Sequence, residues 1–175
     1  SLKKQPDFSR SVLALGLTHE EKEQFEKAVK IYKKFLKKEP SDKLILSRVV
    51  QVLFQTSKYK EIIPYAERLS DLDPEDLNLK VKLGVLYTDG KQFNKALAVF
   101  KELLRAAPKS DKILYYMAAI YQEIDELENS ITYFQKIPDT SALFQDSAIQ
   151  VASMLSKMAM SNDYSVDEQE KYAQR

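Results

Sequence analysis

LNLKVKLGVLYTDGKQFNKALAVFKELLRAAPKS, residues 77–110, is the stretch from which the fold is read. In its first half Leu83 and Tyr87 stand one helical turn apart beside the small Gly84. In its second half Phe93, Ala96 and Phe100 recur at three and four residues before Pro108 closes the run. Apolar recurrence at three and four marks an amphipathic helix, and a proline beyond it marks the end. The stretch therefore reads as a helix, a turn at Gly90 and a second helix.

Its length measures out the rest of the chain. Pro40, Pro74 and Pro108 follow one another at intervals of 34 residues, which sets frames at 9–42, 43–76, 77–110 and 111 onward. Position 8 of each frame then holds Gly16, Val50, Gly84 and Ala118, and position 20 holds Ala28, Ile62, Ala96 and Ser130. These are the points where the two helices of a pair touch, and small side chains suit them. Position 17 offers Phe25, Tyr59, Phe93 and Leu127 as an apolar plug at the turn. Positions 4, 7 and 11 are apolar nearly throughout, Val12 and Leu15 included. A single helical hairpin cannot bury both of its apolar faces, whereas stacked hairpins bury them in series. The expected fold is an all-α solenoid, and no strand-type alternation with turn dipeptides competes with it.

The pattern resembles the tetratricopeptide repeat (TPR) superfamily from residue 9 to about 160. Leu83, Gly84, Tyr87, Ala96, Phe100 and Pro108 match its signature positions, with Lys80 in place of the usual aromatic. The resemblance implies a right-handed α-α superhelix of about four and a half helix-turn-helix repeats. It also implies a non-catalytic protein-interaction scaffold that takes a peptide or helix of a partner in a concave groove. First-helix positions 2, 5, 9 and 12 build that groove in the family. Here they give Leu13, Leu17 and Glu20; Ser47, Gln51 and Phe54; Val81 and Val85; Tyr115 and Ala119; then Gln145 and Ile149, with Arg48 and Lys82 as rim cations that steer a partner. Family members that clamp a C-terminal carboxylate use lysine, asparagine and arginine at set places. Only Lys82 and Asn78 would suit here, so no such clamp is expected.

The ruler bends in places. Pro64 sits near the start of the second helix of repeat two, where a first-turn proline costs little. Pro138 arrives four residues early, which shortens the fourth repeat, 111–140. A fifth repeat then starts near Ser141, with Phe144, Ala148 and Val151 at positions 4, 8 and 11 and a first helix over 141–160. Ser165 and Glu168 have capping-box spacing, so 161–175 reads as the start of a further helix cut off at Arg175, and 1–8 as a polar N-terminal arm. Residues 12–17 and the set Ile149, Val151, Met154, Leu155 and Met158 are apolar on more than one side, as the uncapped ends of a solenoid would be. An alternative role follows: an assembly or regulatory module of a longer protein, self-associating through its terminal repeats.

Composition narrows the chemistry. Among 175 residues there is no cysteine, which removes disulfides, thiol nucleophiles and cysteine-bound metals. The sole histidine, His19, reads as structural, and neither a metal, a cofactor nor a catalytic residue is expected. Isolated glycines make no phosphate loop, and the acidic run at 71–76 reads as helix caps rather than a calcium loop. The longest apolar run, Ile113–Tyr121, has nine residues against the ~20 of a membrane span, so a soluble protein is expected, cytoplasmic or periplasmic. No leader is seen and no initiator methionine is present. The net charge of +1 hides an asymmetry: residues 1–60 carry 14 Lys and Arg against 7 Asp and Glu, and residues 61–175 carry 13 against 19. Lys27, Lys30, Lys33, Lys34, Lys37 and Lys38 account for much of it. Glu23 and Glu26 stand four residues ahead of Lys27 and Lys30, so these lysines read as a solvated face; Tyr32 and Phe35 fall on the core side, so no ring serves a stacked base and nucleic acid is not expected.

Overall fold

A computed structural model of the chain describes residues 6–161 and 164–174, and side chains from residue 8 onward. Among these residues the secondary structure is entirely helical. The elements are α1 (Pro6–Glu20), α2 (Phe25–Leu36), α3 (Lys43–Gln55), α4 (Tyr59–Leu72), α5 (Leu77–Asp89), α6 (Phe93–Ala106), α7 (Asp111–Glu123), α8 (Leu127–Phe134), α9 (Phe144–Met160) and α10 (Val166–Ala173). They form two compact units, Ser1–Lys91 and Gln92–Arg175. The arm expected over 1–8 is helical from Pro6; its residues 1–5 lie outside the described residues.

Local chemistry sets the helix ends. Asp42 and Asp76 accept the backbone N–H of Ile45 and Leu79 at 3.0 and 2.9 Å, capping α3 and α5. Asp76 is the cap drawn from the acidic run. Between the first and second helices the chain turns through a left-handed residue, with φ of 56° at Glu23, Ser57 and Lys91 and 61° at Asp125. Those positions are 34 residues apart. At three of the turns the next N–H reaches back to the carbonyl five residues earlier, Gln24 to His19, Lys58 to Leu53 and Glu126 to Tyr121, which is the Schellman closure. Glycine suits such a residue, yet none of the four is glycine. Gly90 caps α5 one position earlier with φ of −80°.

In the N-terminal unit, α1 pairs with α2 and α3 with α4, while α3 packs on α2 and α5 on α4. Ala28 and Ile62 are fully buried at the helix contacts, and Val50 is buried opposite. Gly16 has no substitute, because a Cβ there would fall on the ring of fully buried Tyr32. The Tyr32 hydroxyl donates to Glu20 Oε1 at 2.6 Å, and Arg48 donates to both Glu20 oxygens at 3.0 and 2.5 Å. Burial, then the bond to Glu20, pushes the Tyr32 hydroxyl well above its ordinary value, and the bond to Glu20 raises Arg48. Pro64 is the sixth residue of α4, not part of its first turn. It is tolerated as an exposed interior proline that removes one backbone donor. Positions 3, 7 and 10 of α3 and α5 are aliphatic and buried: Ile45, Val49 and Val52; Leu79, Leu83 and Leu86. The equivalent residues of α1 are Ser11, Leu15 and Thr18, all exposed. Leu15, expected in the core, is 52% exposed, and Tyr59, expected as a turn plug, is 46% exposed.

In the C-terminal unit, α7 packs on α6, α8 on α7, α9 on α8 and α10 on α9. Ser130 is fully buried at its contact position and donates its hydroxyl to the Ala118 carbonyl at 2.9 Å, so a polar side chain is satisfied where a small one is needed. Helix α8 is eight residues long, ending ahead of Pro138, with Ile137 still buried. Ser141 Oγ accepts the Leu143 N–H at 3.1 Å and donates to Asp111, and α9 begins at Phe144 rather than near Ser141. Its inward residue is Ser147, while Ala148 and Phe144 are exposed, so the expected frame is displaced by one residue. Ser165 and Glu168 form the capping box of α10. Tyr172 is buried and donates to Glu128 Oε1 at 2.7 Å, a bond that pushes its hydroxyl up to about 12.

Two outcomes follow for stability. Ser57→Gly and Lys91→Gly each relieve left-handed strain of about 1 kcal/mol, partly offset by glycine's unfolded-state entropy. Each therefore raises the unfolding free energy from urea denaturation by a few tenths to about 1 kcal/mol, whereas Gly90→Ala leaves it level or higher and Gly16→Ala lowers it by about 1–3 kcal/mol. Arg48→Ala strands the Glu20 charge and costs about 3 kcal/mol, while the double replacement Glu20→Leu with Arg48→Leu recovers most of that loss in the same denaturation assay. Equal losses from the single and double variants would contradict the pairing.

Candidate partner-binding surface

The first helices of the N-terminal unit bring most of the expected groove residues to one face. Leu13 and Leu17 on α1, Phe54 on α3, and Val81 and Val85 on α5 are half-buried; Ser47, Gln51 and Lys82 are exposed. The Lys82 ammonium lies 5.9 Å from the Phe54 ring centre, tying α5 to α3 over the apolar strip. Phe54 in turn meets Tyr59 edge-on at 6.3 Å. Glu20, expected on this surface, is instead 8% exposed beneath Arg48. Arg48 is consequently engaged on both sides, with Glu20 behind it and Gln51 Oε1 accepting from its guanidinium at 2.8 Å. It is a fixed brace rather than a free steering cation.

In the C-terminal unit the four expected residues behave differently. Tyr115 packs its ring edge-on against Phe134 at 5.3 Å, and its hydroxyl donates to Asp146. That bond, with some burial, holds the Tyr115 hydroxyl above its ordinary value. The side chain is committed to the joint between α7, α8 and α9. Ala119 is half-buried, Gln145 exposed and Ile149 66% exposed. Sequence reasoning missed an apolar cavity of about 650 Å³ between α8, α9 and α10, lined by Phe134, Ile137, Ala148, Ala152, Leu155 and Tyr172 among others. Its signals were the early stop at Pro138 and the small residues four apart on α9.

The other candidates fall into structural contacts. His19 Nδ1 lies 3.0 Å from Gln24 Oε1 at the α1–α2 turn. Tyr87 donates to Glu67 Oε1 at 2.6 Å, and burial followed by that bond pushes its hydroxyl upward. Among the described residues no group of three or more metal-ligating side chains comes together, and no helix is long and apolar enough to cross a membrane.

Comparison with known proteins agrees with this geometry. Tetratricopeptide repeat protein 21B of Xenopus laevis is 32% identical over 113 residues, 60% of this chain and 8% of that protein. Superkiller protein 3 of Schizosaccharomyces pombe is 25% identical over 116 residues, 62% of this chain and again 8% of the relative. The chain thus spans under a tenth of the length of these relatives. Among solved structures, a crystal structure of MamA superposes with a TM-score of 0.68 at 16% identity, covering 95% of this chain and 88% of that one. MamA from Desulfovibrio magneticus RS-1 gives 0.58 at 18% identity, covering 98% and 92%. At such identities the likeness is one of fold. The family described as the TT21 fifth ARM repeats domain matches residues 13–122, and with its ladder of 34-residue helix pairs the chain belongs to that family of TPR-type helical repeat proteins.

Proposed function

We propose that the chain is a non-catalytic interaction scaffold whose first-helix face in the N-terminal unit receives a segment of another protein. The observation that supports this is the strip of Leu13, Leu17, Phe54, Val81 and Val85, left half-buried between exposed amides and Lys82. A surface that only met water would have no use for five large apolar side chains in one place. A helix or extended peptide that covers such a strip gains roughly 1.5–3 kcal/mol per anchored side chain before ordering costs. Gln51 and Ser47 supply hydrogen-bonding groups beside the strip, which fix orientation more than affinity. The Glu20–Arg48 brace neutralises the Glu20 carboxylate behind the strip. Nothing in the arrangement calls for a cofactor or a reacting group.

Photo-crosslinking side chains placed singly at Ser47, Gln51 and, as a control on an outer helix, Lys101 test the reading in the full-length protein. Covalent capture of the same partner is expected from Ser47 and Gln51 and not from Lys101. Val81→Glu and Val85→Glu, both at half-buried positions, should each weaken capture roughly tenfold with helicity unchanged. Capture that survives both substitutions, or that comes equally from Lys101, would assign the partner to another surface.

A further inference from the structure

The strongest feature that the scaffold reading leaves unused is the outer face of α2. Residues 27–38 contain six lysines and no acidic residue. At 100° per residue the six fall within an arc of about 140°, spread over about 16 Å of helix. Lys27, Lys30, Lys34, Lys37 and Lys38 are exposed. Two nearby carboxylates are engaged, one of them with a lysine of the stripe itself. Glu61 pairs with Lys33, and Glu26 accepts from Lys58 at 2.9 Å. Lys27 reaches only the Gln24 amide, at 3.1 Å. Lys30, Lys34, Lys37 and Lys38 pair with no carboxylate among the described residues. Glu39 and Glu23 stand outside the stripe, one beyond each end.

The apolar residues of α2 point elsewhere. Tyr32, Phe35 and Leu36 are buried and Ile31 is half-buried; the Tyr65 ring beside the stripe is already taken by Lys33 and Arg68, 5.5 and 5.9 Å from its centre, and the groove at Lys27 is shared with Glu23 and Glu26, which disfavours a stacked base and an acidic peptide. What the stripe offers is a row of positive charges on long flexible stems, without fixed geometry. That chemistry matches a fluid plane of anionic headgroups, where each cation finds a counter-charge wherever it lands. We propose that the lysine face of α2 is a docking surface for an anionic phospholipid membrane. The attraction is electrostatic, involves no insertion, and leaves the first-helix face untouched.

Cosedimentation of the full chain with phosphatidylcholine vesicles, with and without about a third phosphatidylserine, tests it. Binding is expected only to the anionic vesicles and should fade as salt shortens the screening length. Each lysine contributes roughly fivefold to partitioning, so K30Q/K34Q/K37Q/K38Q should weaken binding by several hundred-fold at low salt with its circular dichroism unchanged. Neutralising Lys101, Lys109, Lys112 and Lys136 instead should matter far less. V81E/V85E should bind vesicles as the parent chain does, which separates this inference from the scaffold reading. The proposal is overturned by absence of phosphatidylserine-dependent binding, or by equal losses from the two quadruple glutamine variants. It is also overturned if polyglutamate or duplex DNA strips the chain from the vesicles at a lower concentration of negative charge than the lipid presents, which would give the face to an acidic protein or a nucleic acid.

Discussion

Where two helices pack, the side chains at their closest approach have to fit one another, and the chain meets that condition differently in its first, second and fourth pairs. At the first pair Gly16 leaves the space into which the Tyr32 ring closes. At the fourth, Ala118 and Ser130 meet, and the buried hydroxyl is satisfied by the Ala118 carbonyl. The second pair uses Val50 and Ile62, both buried, and compensates for their bulk with Ala66 at the place where the first pair puts Tyr32. The bulk is thus distributed differently across the two contacts. Because the first pair is closed in this way, its remaining apolar face can be offered to α3, which packs on it and whose Ile45, Val49 and Val52 are fully buried.

The joint between the first two repeats adds a charge to this apolar logic. Burying Glu20 would be costly alone, but two Arg48 nitrogens and the Tyr32 hydroxyl meet its oxygens. Replacing the set with aliphatic residues could hold the helices as firmly, so its value lies in specificity: only one register of α3 on α1 brings the guanidinium over the carboxylate. The same pairing fixes Arg48 against Gln51 at the edge of the half-buried strip, so the brace that aligns the repeats also sets one border of that strip.

The repeat ladder was legible because proline, small residues and aliphatic spacing are local signals that recur. The early end of α8 was legible for the same reason, since Pro138 acts on its own neighbourhood. What escaped reading was relational. Glu20 fell on the groove list because its position in the frame says so, and its burial depends on Arg48, 28 residues away. Tyr115 looked like a groove anchor, yet Phe134 and Asp146 claim its ring and hydroxyl. Ala148 and Ser147 exchanged roles because the shortened fourth repeat shifted the start of α9, which no single residue announces. The left-handed turns went unseen for a subtler reason. Glutamate, serine, lysine and aspartate stand where glycine would have been a signal, and the backbone is held there by the Schellman bonds instead.

Pairing and stacking leave the N-terminal unit with two exposed surfaces of different chemistry. The first helices keep aliphatic side chains half-covered, and burial of that kind rewards a partner with matching shape. The exposed side of α2 keeps lysines that pair with no carboxylate among the described residues, Lys30, Lys34, Lys37 and Lys38, and charge of that kind rewards proximity rather than fit. The two respond to opposite conditions: salt weakens attraction at the lysines and leaves apolar contact at Val81 and Val85 intact or strengthened. Since Tyr32, Phe35 and Leu36 fill the space beneath α2, neither surface needs the other to move. A chain arranged in this way can hold an apolar partner on one side while its opposite side is held by electrostatics, with the packed core of the repeat separating the two.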